Sequence, residues 1–110
     1  MASALINMPK TARVGEVILI KALIAHPMET GLRPGADGQI LPTDLIRTFT
    51  CSFEVGDKKS TVFSANLYAA IAANPYLSFH YKASTSGKLI FTWVGDNGFN
   101  QSESISLTVS

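Results

Sequence analysis

Between Leu45 and Val55, apolar and polar side chains alternate along the chain. Leu45, Phe49, Cys51, Phe53 and Val55 fall on one side, and Thr48, Thr50, Ser52 and Glu54 on the other, with Arg47 breaking the apolar row. A period of two predicts a half-buried strand of an antiparallel sheet. Gly56-Asp57-Lys58 supplies a turn and Thr61-Val62-Phe63 the returning strand, which together predict a hairpin. The same alternation recurs in Tyr76–Ala83, with Leu77, Phe79 and Tyr81 inward, and in the segment bearing Leu89, Phe91 and Trp93. The final strand turns Ile105, Leu107 and Val109 inward. Ser84-Thr85-Ser86-Gly87 and Asp96-Asn97-Gly98 separate these segments with residues suited to tight turns.

Val17–Ile24 follows a different pattern. It is rich in Val and Ile and apolar on both sides, which predicts a buried central strand. Pro27 ends it, and from His26 to Thr43 the periodicity is lost among Pro27, Gly31, Pro34, Gly35, Gly38 and Pro42. This is a long connection with a short hairpin expected around Asp37-Gly38, and connections of this length are often functional. Leu67–Ala73 is the one helix-friendly stretch. It is too short to stand alone and is stopped by Asn74-Pro75, so one or two helical turns crossing between sheets are expected there.

Short strands with turn chemistry between them predict an all-β fold, an immunoglobulin-like β-sandwich of antiparallel strands with one short helical crossover. Phe49, Phe53, Phe79, Phe91 and Trp93 are the aromatics expected to fill the layer between the sheets. With 110 residues the chain makes one domain, spanning residues 1–110.

Composition narrows the function. Charged residues make up only 15%, against an average near 25%, so part of the surface is expected to be covered by another chain. The net charge is +1 and the signs are interleaved, with no basic stripe to follow a phosphate backbone, which argues against nucleic-acid binding. No apolar run approaches the roughly 20 residues of a membrane-spanning helix. Residues Met1–Pro9 lack the basic and long apolar regions of a secretory signal, so the residues alone read as cytoplasmic or as exported by a route not encoded here.

Candidate chemistry is sparse. The sequence has two histidines, His26 and His80, and one cysteine, and it has no Gly-x-Ser-x-Gly elbow. Cys51 shares a strand face with Phe49 and Phe53, an environment that keeps a thiol inert. A metal or redox domain using His26, Met28 and His80 is the alternative reading, weakened by the lack of His-x-His or Cys-x-x-Cys spacing. A carbohydrate-binding module would have to use Tyr68 and Tyr76 as its platform. No cofactor is expected. The long connection is the candidate partner contact, through His26, Met28, Glu29 and Arg33, with Met28 as an adaptable apolar contact. Arg47, interrupting an apolar face, is expected to pair with a carboxylate at an edge.

Four segments together resemble one family: KTARVGEVILIKALIAHPMETG (10–31), FTCSF (49–53), VFSANLYAAIAANPYLSF (62–79) and SGKLIFTWVGDNG (86–98) are similar to SoxZ. The resemblance runs in order over nearly the whole chain. Two places depart from it: positions around Asn66 often hold an acidic residue in the family, and Val94-Gly95-Asp96 is less acidic than usual. The resemblance implies a non-catalytic subunit of a SoxYZ-type carrier in thiosulfate oxidation. It implies a tight heterodimer, or a higher oligomer, with a SoxY subunit whose mobile C-terminal cysteine carries sulfur intermediates. Transient contacts with periplasmic Sox enzymes are implied as well. So is a periplasmic location reached by co-export with the signal-bearing partner. Cys51 corresponds to the family's buried strand cysteine.

Overall fold

The computed structural model describes residues 3–68 and 73–110. Two sheets face each other. One has three strands in the order β1-β3-β6: β1 (Ala4–Asn7), β3 (Val17–Ile24) and β6 (Tyr76–Lys82). The other has five in the order β2-β8-β7-β4-β5: β2 (Thr11–Ala12), β4 (Ile46–Val55), β5 (Lys58–Asn66), β7 (Gly87–Gly95) and β8 (Asn100–Val109). The immunoglobulin-like sandwich is therefore present. The helical crossover expected over Leu67–Ala73 falls mainly on residues 69–72, outside the described residues.

The alternation read from the sequence sets the core. Phe49, Phe53, Phe79, Phe91 and Trp93 are all buried. Phe49 sits at the centre, with ring centroids of Trp93, Phe63, Phe79 and Phe91 at 5.2 to 6.3 Å. Phe63 of β5 stacks on Phe79 of β6 at 4.3 Å, which closes the sandwich between strands of opposite sheets. From the three-stranded sheet, Ile18, Ile20, Ala22 and Ile24 fill the other half of the layer. Val55 departs from the expected inward row. It ends β4 at the hairpin turn and is exposed.

Two short strands escape the pattern because they are too short to show a period. β1 pairs antiparallel with β3, while β2 pairs parallel with β8, so the expectation of antiparallel strands throughout is corrected at this one edge. Pro9 lies between β1 and β2, where the chain switches sheets and a missing N–H costs no ladder bond.

The reading of Val17–Ile24 as a strand buried on both faces is also corrected. β3 is central in its sheet, but only its Ile18, Ile20, Ala22, Ile24 face is buried. Val17, Leu19 and Lys21 are exposed on the outer face and Leu23 is half-buried there.

Two irregularities re-aim side chains on β4. The register against β7 skips Arg47, between Ile46↔Gly95 and Thr48↔Val94. Leu45 and Ile46 are consequently both buried, while Arg47 turns outward. A second shift, between Cys51 and Ser52, skips Val62 of β5.

Candidate partner interface

The long connection leaves β3 at one end of the sandwich, and a hydrogen-bond network holds its first residues. The His26 N–H donates to Asn74 Oδ1 at 2.9 Å, and the His26 carbonyl accepts the Asn74 N–H at 2.7 Å. Asn74 can make this reciprocal pair because its backbone is left-handed, at φ 53°, a conformation asparagine tolerates. The His26 ring is buried, edge-on to Phe99 at 5.1 Å. Its Nδ1 accepts the Met28 N–H at 3.0 Å, so the neutral ring carries its proton on Nε2, which lies 3.6 Å from Asp44 Oδ1.

Met28 has a left-handed backbone, at φ 53°, and its side chain turns into the core. Its sulfur accepts the Ile46 N–H at 3.4 Å. His26 and Met28 therefore hold the base of the loop together, and their side chains are closed to a partner in this conformation. Met28, expected as an exposed contact of the loop, has its side chain buried, because the left-handed turn at this residue points inward a side chain that loop placement alone would leave outside.

The loop then doubles back. Glu29 and Asp44 exchange both backbone hydrogen bonds at 2.8 Å, and the Leu41 N–H donates to the Arg33 carbonyl at 2.8 Å. The expected hairpin is present: Gly35 N–H donates to the Gln39 carbonyl at 2.6 Å, with Gly38 left-handed at φ 80°. Arg33 donates to both carboxylate oxygens of Glu29, through Nε at 3.0 Å and through Nη2. This forked pair holds the Glu29 carboxyl below its ordinary value.

Arg47 pairs with a carboxylate, Asp96, through Nε at 2.9 Å and Nη2 at 3.0 Å. Asp96 Oδ2 also accepts the Leu45 N–H at 3.0 Å, so the carboxylate ties the bulge of β4 to the turn after β7. The hydrogen bond from Arg47 is the main cause holding the Asp96 carboxyl below its ordinary range. The turn itself is tight: Asn97 and Gly98 are both left-handed, and the Phe99 N–H donates to the Asp96 carbonyl at 3.1 Å.

The structure thus gathers His26, Met28, Glu29 and Arg33 in one loop, with Arg47 joined to it through β4. Asp44, Asn74, Asp96 and Phe99 complete the cluster and were not singled out by sequence as its members. Asn74 before Pro75, and Asp96 opening an Asp-Asn-Gly turn, marked turns but not their partners.

A second surface adjoins this end. Leu5 of β1, Leu23 of β3 and Tyr76 of β6 lie side by side across the outer face of the three-stranded sheet. Leu5 is 64% and Tyr76 55% exposed, and with Asn7 and Lys21 the three line one shallow depression. The outer face of the five-stranded sheet is more polar. Around Ile90 and Val94 it carries Thr48, Thr50, Thr92, Ser102 and Ser104, and Thr92 and Ser102 share a hydroxyl hydrogen bond at 3.0 Å.

Cys51 is fully buried, and desolvation pushes its thiol up to about 12. His26 is inside and His80 on the outer face of β6. Among the described residues, no group of three or more His, Cys, Asp or Glu side chains is placed to hold a metal ion. Nor is any helix among them long and apolar enough to cross a membrane.

Fold and site together define an immunoglobulin-like sandwich whose ordered end is a hydrogen-bonded loop and whose one thiol is shielded. The family described as "Sulphur oxidation protein SoxZ" matches residues 6–106, and the chain belongs to it. No curated protein matches the sequence. Among solved structures, a superoxide reductase (neelaredoxin) from Ignicoccus hospitalis is similar, with TM-score 0.77 and 15% identity over 98% of this chain and 80% of that one. The sulfur carrier protein SoxY from Chlorobium limicola f thiosulfatophilum has TM-score 0.66 and 11% identity, over 96% of this chain and 74% of that one. A superoxide reductase from Archaeoglobus fulgidus in the reduced form gives 0.66 and 16%, over 96% and 88%. At these identities the likeness is one of fold.

Proposed function

We propose that this SoxZ-family chain is a non-catalytic subunit of a sulfur carrier, and that its work is to bind and stabilise a SoxY-type chain. The observation that carries the reading is the state of Cys51. It is the one cysteine of the sequence, it has no exposed surface, and its thiol is pushed to about 12. A sulfur cargo needs an accessible thiolate. Cys51 is shielded from that role, and a mobile terminal cysteine on SoxY supplies the cargo thiol.

The complex acts in the periplasm, reached by co-export with the partner, and Sox enzymes contact it transiently while acting on the partner's arm. Glu29, Arg33 and Arg47, at the loop end, lie at the rim of the contact surface. The superoxide reductase likeness lends no support to iron chemistry here, because among the described residues no three His, Cys, Asp or Glu side chains come together as a donor set. The Nδ1 of His26 is taken up by the Met28 N–H and His80 lies on a different face.

Mixing the purified chain with the SoxY chain of the same organism tests the reading. Co-elution as a one-to-one complex on size-exclusion chromatography is expected. Separate elution at micromolar concentrations overturns it.

A further inference from the structure

β3 carries large apolar residues on both faces, and the chain covers only one. A strand apolar on both faces normally has both covered. Among the described residues ten large hydrophobics are well exposed, and four of them (Leu5, Val17, Leu19 and Tyr76) share the outer face of the three-stranded sheet. The opposite outer face is the more polar of the two: around Ile90 and Val94 it carries Thr48, Thr50, Thr92, Ser102 and Ser104. An exposed apolar cluster such as that of the three-stranded face marks a surface for cover.

β3 runs eight residues along this face beside β6, and β1 widens it to three strands at Lys21–Ile24. At about 4.8 Å between strands and 3.4 Å per residue, the three-stranded part is about 14 by 14 Å. The charge of the face is one-sided. Lys21 lies beside Leu23, and Lys82 and His80 pair in register with Val17 and Leu19. No carboxylate stands among the outward residues of β1, β3 and β6. A second copy set face to face would bring like charges together, which disfavours self-pairing. The surface fits a different protein, with an apolar centre and carboxylates around it.

Resting on the carrier reading above, we infer that the outer face of β1, β3 and β6 is the seat of the SoxY-type chain, with Leu5, Leu23 and Tyr76 as apolar anchors and Lys21 and Lys82 meeting its carboxylates. The anchors lie beside the loop base, where the Ala25 N–H donates to the Ser3 carbonyl at 2.8 Å and the Ile24 N–H to the Pro75 carbonyl at 3.3 Å. The seat therefore continues toward Glu29 and Arg33.

The test is a titration of SoxY from the same organism with four forms of this chain: wild type, Leu5→Glu/Tyr76→Glu, Lys21→Glu, and Ser104→Lys on the opposite outer face. The substituted side chains are exposed, so each variant is expected to fold with wild-type circular dichroism. The double variant is expected to lose about a hundredfold in affinity. Lys21→Glu is expected to weaken binding and flatten its salt dependence, and Ser104→Lys to leave binding unchanged. Wild-type binding that the double variant retains in full overturns the placement while the carrier reading stands. Failure of the wild-type chain to bind SoxY overturns that reading instead. A homodimer of the wild-type chain that the double variant dissolves also overturns the placement, since the occupant would then be a second copy.

Discussion

His26 and Asn74, forty-eight residues apart, clasp each other through a side-chain-to-backbone bond at 2.9 Å and a backbone bond at 2.7 Å. One residue opens the long loop and the other ends the crossover into β6, so this clasp fixes the end of the sandwich from which the loop departs. Asn74→Ala removes an acceptor from a part-buried N–H and puts a β-carbon without a polar end at φ 53°. A loss of about 2 kcal/mol in a urea titration is expected. Asn74→Gly keeps the backbone freedom and loses less. Equal stability of all three proteins would count against the clasp.

Met28 belongs to the fold more than to its surface. Its side chain is 4% exposed and its sulfur lies on the Ile46 N–H. Met28→Asp places an unpaired carboxylate there and is expected to cost about 3 kcal/mol or more, or to prevent folding. Thermal melts of Met28→Asp and Met28→Leu distinguish the cases, the leucine variant remaining folded with a smaller loss. A wild-type melt for Met28→Asp would return this residue to the surface.

Acid should weaken the loop end first. Glu29 and Asp96 are both held below their ordinary values, chiefly by hydrogen bonds from Arg33 and Arg47. A depressed folded-state value gives a stability contribution that is complete above the unfolded values, near pH 4, and is lost as pH falls through the folded ones. Both pairs are exposed to solvent, so the effect is modest and screened by salt. Denaturant midpoints measured from pH 7 down to pH 2 should fall more steeply for wild type than for Glu29→Gln/Asp96→Asn. Parallel curves would show that the pairs contribute nothing.

The Cys51 thiol should be silent in the native chain. It is fully buried, with a thiol value near 12. Alkylation at pH 8 is expected to run about a thousandfold slower than in guanidinium, since it must wait for the core to open. Equal rates would mean that the thiol is reachable.

Much of the fold was legible because its strands carry one apolar row each. Phe49, Cys51 and Phe53, and Leu89, Phe91 and Trp93, declare their sheet face through a period of two. β1 and β2 were missed because four and two residues cannot display a period, and the parallel pairing of β2 depends on where β8 ends in space. Arg47 was legible as an interruption, and a bulge with an Asp96 partner is what that interruption means here. The burial of His26 and Met28 was not legible, because a loop has no period to reveal it. Their environment is made by Asn74, Asp44 and Ile46, which topology brings from other segments. The apolar outer face of β3 was visible in the sequence as a second apolar row, but which row lacked a cover could be known only from the arrangement of the sheets.

The central claim is that this chain holds a carrier without bearing the cargo. Loading the complex with SoxY enzymatically with a sulfur compound, then mapping the adduct by intact mass and peptide sequencing, tests it most directly. The account predicts a sulfur adduct on a cysteine of the partner and an unmodified Cys51. An adduct on Cys51, with the partner's cysteine free, would contradict it.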